Sequence, residues 1–196
     1  MAMEGENNMK KSTMVIIGVV AVLVVLVLAL IGSYNGMVTK RENVDTELSN
    51  LDVMLQRRAD LIPNLVNTVK GYTSHETAVI DKITEARENL LNASTLEEKQ
   101  DANNELSSAI DALMVVVENY PDLKASENFI QLSDELAGTE NRISTARRDY
   151  NHAVQEYNLK IKRFPNNILA GIFGFETVDY FEADESSQDV PDVNFD

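Results

Sequence analysis

The chain has 196 residues, room for one globular domain of roughly 150 residues with accessory segments, so a multidomain enzyme is not the expectation. Seventeen Lys and Arg against 32 Asp and Glu leave a net charge of −15, which argues against nucleic acid, because phosphate binding depends on clustered cations that release counterions. With no Cys there is no disulfide, thiol catalysis or thiolate metal site, and eight Gly, four Pro and no Trp point to long helices.

Residues 1–12 form a polar N-terminal segment. From 14 to 31 runs MVIIGVVAVLVVLVLALI, without a charge or strong polar group, and residues 13–33 together have the length to cross ~30 Å of hydrocarbon as a helix. A cleaved signal peptide is the rival, but its apolar region is typically ~7–15 residues, and Val27-Leu28-Ala29 is a weak cleavage site. The expectation is an uncleaved, single-pass anchor in the cell membrane. Lys10 and Lys11 on one side balance Lys40 and Arg41 on the other, so the positive-inside rule does not orient it. Tyr34, just past the span, suits the headgroup layer.

The region 34–164 reads as a helical bundle. Over 34–72 the seam advances by threes and fours through Met37, Arg41, Val44, Leu48, Leu51, Leu55, Arg58, Ile62, Leu65, Val69 and Tyr72. Pro63 predicts a kink within it. Gly71 and Thr73-x-x-Glu76 predict a helix stop and a capping box, hence a reversal near 71–75 and a second helix to about Asn92 with Val79, Ile80, Ile83, Ala86 and Leu90 inward. Ser94-x-x-Glu97 repeats the box and opens a third helix, with Leu96, Leu106, Ile110, Leu113, Val117 and Tyr120 as its stripe, ended by Pro121. In the fourth, from Ser126, Phe129, Leu136, Ile143, Tyr150, Tyr157 and Phe164 stand seven apart. The fold class is therefore all-α: an N-terminal transmembrane helix, then an antiparallel up-and-down four-helix bundle. Three long helices without the break near 71–75 are the alternative.

The first and fourth bundle helices are equally long, about 39 residues or ~58 Å. If they run antiparallel with flush ends, positions whose numbers sum to about 198 lie level. That sets Arg58 beside Glu140, two charges in apolar seams, predicting a bidentate, largely buried ion pair; the alternative is that both side chains reach past the bundle edge to water. It also sets Arg41 level with Tyr157 for a cation–π or hydroxyl contact.

Residues 165–181 form an apolar post-bundle segment. Phe164, Ile168, Leu169, Ile172, Phe173 and Phe175 make a patch that would return to the membrane-proximal end, there to meet lipid, a partner or, most simply, its own bundle. Eight acids and no base follow Arg163, and 182–196 is an acidic tail. The tail reads as disordered, although Val190, Val193 and Phe195 alternate with acids in a way that permits strand addition to a partner.

Several strings resemble a known family. Tyr34-Asn35, Arg58-x-Asp60-Leu61-Ile62-Pro63-Asn64-Leu65-Val66, Val69-Lys70-Gly71-Tyr72 and His75-Glu76 look like the first conserved block of the LemA family of bacterial membrane proteins. Glu118 to Ala125, Glu140-Asn141-Arg142-Ile143, Ala146-Arg147 and Tyr150-Asn151 resemble its second block, and Phe164-Pro165 with Gly174-Phe175 to Tyr180-Phe181 its end. The resemblance covers 34–182. It implies one amino-terminal anchor, a helical bundle and no established catalytic residues. It also implies association with membrane assemblies, including relatives in magnetosome formation, and with membrane metalloproteases through gene neighbourhood.

Catalytic signals are weak. A carboxylate-bridged dimetal bundle needs two Glu-x-x-His motifs, whereas Asp149-x-x-His152 supplies one such spacing and Tyr72 occupies the place that would complete it before His75. Ser74 and His75 adjoin at a helix cap rather than forming a triad, and Glu97-Glu98 and Asp134-Glu135 read as solvated faces. The expectation is no catalytic residue, cofactor or metal. The chain would then be a non-enzymatic, membrane-anchored scaffold or adaptor acting through protein–protein contact or self-assembly. Its partners would be the bilayer and another membrane protein, with a metalloprotease suggested by the resemblance, or copies of itself. The alternatives are a membrane-tethered sensor of a small ligand or stress, with the Arg58–Glu140 level as its polar spot, and a membrane-bound hydrolase of unrecognised type.

Overall fold

The structure, a computed structural model, describes residues 2–73 and 76–182, with side chains from Thr13 onward. Ser74, His75 and the acidic residues 183–196, with Val190, Val193 and Phe195, lie outside the described residues. The chain is all-α: α1 (Ala2–Lys70), α2 (Thr77–Asn92), α3 (Leu96–Val117), α4 (Pro121–Lys124), α5 (Glu127–Lys162) and α6 (Asn166–Phe173). A break between Lys70 and Thr77 separates α1 from α2, so the alternative without it is set aside. Helix α1 runs on through Pro63, because a seam buried on both sides of the proline (Ala59, Ile62, Leu65, Val66) offsets the lost backbone bond.

Two compact units divide the described residues. One holds the chain up to Asn43 with Gln155–Val178, and the other holds Val44–Val154 with the residues from Asp179 on. Helices α1 and α5 contribute to both.

In the first unit, Met14 to Ile31 present every large apolar side chain to the outside, each 47–66% exposed. A helix apolar all round, and long enough to cross a membrane, buries nothing against this protein. Past it, α1 packs antiparallel on the end of α5. Gly36 lies against the Lys160 stem, where an added Cβ would come 3.3 Å from Cε. Lys40 pairs with Glu156 at 2.6 Å, and Arg41 stands 5.8 Å over the Tyr157 ring. Met37, Tyr157 and Ile161 form the dry seam. Helix α5 stops at Lys162, short of Pro165, and this ends the heptad series: Phe164 is 80% exposed instead of being the last seam residue.

In the second unit, Val44, Leu51, Leu55, Ile62, Leu65 and Val69 of α1 are buried together with Ile80, Ile83, Ala86 and Leu90 of α2, Leu106, Ile110, Leu113 and Val117 of α3, and Phe129, Leu136, Ile143 and Tyr150 of α5. Arg87 of α2 donates to the Ala59 carbonyl at 2.8 Å, and Lys99 of α3 pairs with Asp52 at 2.7 Å, so both middle helices pack on α1. The seam of α1 ends before Tyr72, which is 48% exposed.

Three helix ends depart from expectation. At Thr73-x-x-Glu76 no capping box forms, because the Thr73 hydroxyl bonds back to the Val69 carbonyl and the Glu76 carboxylate takes the Tyr120 hydroxyl at 3.0 Å. The proton is shared toward a carboxylate, which raises the Tyr120 pKa. The second box sits one residue later than expected. Thr95 accepts from the Glu98 amide, while the Glu98 carboxylate accepts from the Thr95 and Ser94 amides and the Ser94 hydroxyl. Overlapping Ser94-x-x-Glu97 and Thr95-x-x-Glu98 compete, and the second wins because Ser94 can still serve its carboxylate. Finally, α3 stops at Val117, and Pro121 starts α4 rather than ending α3, its fixed φ suiting a first helical position.

Those bonds from Ser94 and Thr95 hold the Glu98 carboxyl down to about 2. A carboxyl with a depressed folded-state pKa adds stability above its unfolded value, and that stability drains away as pH falls toward the folded value. Stability supplied by this cap should therefore be complete at neutral pH and fade from about pH 4.3 downward. Thr95→Ala is expected to cost about 1 kcal/mol at pH 7. Thermal melts from pH 7 to pH 2 should show the loss caused by Glu98→Gln shrinking over that window.

Candidate functional site

Arg58 is the most deeply buried charge among the described residues, 5% exposed on the α1 seam. Its Nη1 lies 2.7 Å from Glu140 Oε2 of α5 and donates to Asn103 Oδ1 of α3 at 2.7 Å. Arg147, one helical heptad beyond Glu140, approaches its other oxygen at 3.9 Å. The level is therefore a cluster rather than the expected bidentate pair. One guanidinium nitrogen serves both partners, and Arg58 Nε and Glu140 Oε2 have no hydrogen bond of their own, so charge proximity holds the pair. Glu140 is 38% exposed, so only the cation is fully withdrawn from water. Burial pulls the Arg58 pKa below its ordinary value, and the Glu140 charge works in the opposite direction.

Asn103 and Glu140 open onto a groove of about 510 Å³, lined also by Ser107, Ser144 and Arg147 and open to solvent. A second open groove of about 480 Å³ borders Arg57 and Arg142. No three metal-ligating side chains converge among the described residues, and His152 is exposed on α5.

Sequence reasoning missed Asn103. It is 1% exposed and fills the gap in the α3 stripe between Leu96 and Leu106; its signal was a polar residue at a seam position, the same signal that picked out Arg58 and Glu140.

It also missed two clasps on α5. In the first unit, the Tyr157 hydroxyl donates to the Glu176 carbonyl at 2.9 Å, and the Asn158 amide group takes both backbone groups of Val178, at 2.8 and 3.0 Å. In the second, Tyr150 donates to the Asp179 carbonyl at 3.0 Å, and Asn151 takes both backbone groups of Phe181 at 2.8 Å. The described chain after α6, residues 175–182, belongs to no helix or strand, and a carboxamide offers the donor and acceptor that a neighbouring strand would have supplied. Phe181, clasped in this way, is 3% exposed and lies 5.3 Å from the Arg147 guanidinium. The signal was available: the dipeptide Tyr-Asn recurs at a seven-residue spacing.

The apolar patch resolves into two faces of α6. Leu169 and Ala170 are buried, Phe175 is half-buried, and Ile168, Ile172 and Phe173 are 55%, 69% and 55% exposed beside the more exposed Phe164. Both ends of α6 are tied to Ser33 and Tyr34, just past Gly32 at the end of the apolar stretch of α1. The Ser33 hydroxyl bonds Asn166, and the Tyr34 ring meets Phe173 and Phe175 edge-on at 5.0 and 5.6 Å. Gly174, at φ +74°, makes the left-handed turn that ends α6, with the Phe175 amide bonded to the Ala170 carbonyl, and this brings Phe175 onto Tyr34.

The LemA family model matches residues 47–195. The chain is 31% identical over 195 aligned residues to the magnetosome protein MamQ 1 of Paramagnetospirillum magneticum, covering 86% of this chain and 71% of that protein. It is 28% identical over 185 residues to the magnetosome protein MamQ of Magnetospirillum gryphiswaldense, covering 81% and 68%. Against protein LemA of Metamycoplasma hominis it is 30% identical over 159 residues, covering 79% and 71%. The matched region takes in the Arg58 cluster, both Tyr-Asn clasps and α6, and on that extent of similarity this chain belongs to the LemA family.

Proposed function

We propose that this chain is a non-enzymatic, membrane-anchored scaffold or adaptor of the bacterial cell membrane. Residues 13–33 serve as an uncleaved single-pass anchor. The helices beyond form an antiparallel up-and-down four-helix bundle that binds another membrane protein, a metalloprotease among the candidates, or copies of the same chain. The observation that carries this reading is α1 itself, whose apolar stretch continues as one helix into the buried seam at Met37. An anchor that runs without a linker into a folded seam suits assembly at the membrane better than capture of diffusing substrates. The similarity to proteins named as magnetosome proteins, whose name places them in an assembly, is in keeping with this. A sensor reading has one observation in its favour, the groove of about 510 Å³ beside Glu140; its openness to solvent suits a small ligand poorly, since ligand sites bury most of the ligand's surface.

The test is crosslinking of the full chain in native membranes through a photoreactive residue at Val115 or Ile130, apolar side chains exposed on the helices. The expected result is discrete adducts, either with one membrane protein or with a second copy. Recovery of uncrosslinked monomer from both positions would overturn the proposal.

A further inference from the structure

We propose that α6 is an interfacial helix, lying in the headgroup layer of the bilayer that α1 crosses, with Phe164, Ile168 and Ile172 directed at the acyl boundary. This rests on reading residues 14–31 as a membrane span and adds a second, non-spanning contact with the same lipid.

Position is the first argument. Ser33 and Tyr34 are the first residues after the apolar stretch with side-chain partners in this unit, and those partners are Asn166, Phe173 and Phe175, at the two ends of α6. A helix fixed at both ends to the point where a span leaves hydrocarbon sits at the depth of the headgroups. An apolar patch there is continuous with the lipid-facing surface of α1, whereas one far along the bundle would need a protein to cover it.

Chemistry is the second. From Phe164 to Phe175 there is no charged residue, so insertion to the acyl boundary desolvates no ion. Immediately before this run come Lys160, Lys162 and Arg163, of which Lys162 and Arg163 are exposed. Cations beside an apolar helix face are the arrangement that anionic headgroups attract. The division of α6 agrees: Leu169 and Ala170 pack inward, with Phe173 on the same side against the Tyr34 ring, and the other side carries Ile168 and Ile172, 55% and 69% exposed. A short helix inserting two or three apolar side chains would be a weak anchor alone, but α1 already holds it at the surface, so little translational entropy opposes its insertion.

The chain has no Cys, so single-cysteine variants label cleanly. The full chain is reconstituted into phosphatidylcholine–phosphatidylglycerol vesicles at high lipid-to-protein ratio. An NBD fluorophore is placed at Ile172→Cys, with Leu23→Cys as the span reference and Ser108→Cys, exposed on α3, as the water reference. Quenching by lipids brominated along the acyl chain reports contact with the bilayer. The expected result is quenching at Ile172 several-fold above Ser108 and strongest from bromines near the headgroup, with Leu23 quenched best by deep bromines. Quenching at Ile172 equal to that at Ser108 while Leu23 remains quenched overturns the interfacial helix and leaves the span standing. A water-like signal at Leu23 overturns both. Protection of Ile172 from bromolipid that disappears on dilution with lipid identifies a second copy as the occupant and also overturns the proposal.

Discussion

Glu140→Met is expected to destabilise the protein by about 3 kcal/mol, at the low end of the cost of stripping one partner from a buried ion pair. The guanidinium of Arg58 would stay where it is, 5% exposed, with Asn103 as its hydrogen-bond acceptor and no counter-charge in contact. The reciprocal change is milder. Arg58→Met leaves Glu140 38% exposed and still near Arg147, so the carboxylate keeps water and a cation; what suffers is the Asn103 carbonyl, buried without its donor. A loss of about 1–2 kcal/mol follows. In the double variant no charge is stranded, and it should be more stable than Glu140→Met alone. Thermal unfolding of the full chain in detergent micelles, followed by circular dichroism, gives the cycle. Additive losses would mean that the two side chains do not act as a pair. The cluster's contribution is better described as fixing helix register than as added stability, since a neutral, well-packed seam can match it.

Asn158→Ala should release the segment after α6. One carboxamide supplies both hydrogen bonds to Val178, and alanine leaves the backbone N–H and C=O without partners, at a cost of about 2 kcal/mol. The amide of Val178 should then exchange with deuterium about tenfold faster or more. Tyr157→Phe, which removes the bond to the Glu176 carbonyl and keeps the ring, should cost about half as much. Asn158→Asp separates donor from acceptor, because it can still take the Val178 N–H but opposes its carbonyl with a second oxygen; it should be no better than alanine. Unchanged exchange at Val178 in all three variants would show that the clasp does not hold the segment. Asn151→Ala is the corresponding change for Phe181.

The helices were legible because burial of one side imposes a period that no other constraint erases. Met37, Leu51, Ile62 and Leu65 on one helix, and Leu136, Ile143 and Tyr150 on another, are apolar at the positions that meet other helices. The same logic marked Arg58 and Glu140, since a charge at a seam position needs a reason. The helix ends were less legible. Ser and Thr before Glu mark a helix start to within a residue, and which hydroxyl wins at Ser94-Thr95 depends on what else the losing residue can bond. Thr73 and Glu76 were each drawn to partners that sequence spacing does not reveal, the Val69 carbonyl and the Tyr120 hydroxyl. The clasps were missed for a related reason. Asn151 and Asn158 adjoin the seam without belonging to it, and a carboxamide that binds backbone leaves no hydrophobic period.

The continuity of α1 from its apolar stretch past Arg41 has a consequence for how such a chain can change length. Each residue added to an α-helix turns everything beyond it by about 100° and advances it about 1.5 Å. From Met14 to Ile31 the surface is apolar on every side, so a rotation there is silent, and in the proposed anchor insertions or deletions alter only the thickness of membrane that it would match. From Ser33 to Arg41 the side chains grip Asn166, Phe173, Lys160, Glu156 and Tyr157 in fixed directions, and a single added residue would point them all elsewhere. Growth or shrinkage in homologous chains should accordingly accumulate before Gly32 and, beyond it, come in whole heptads.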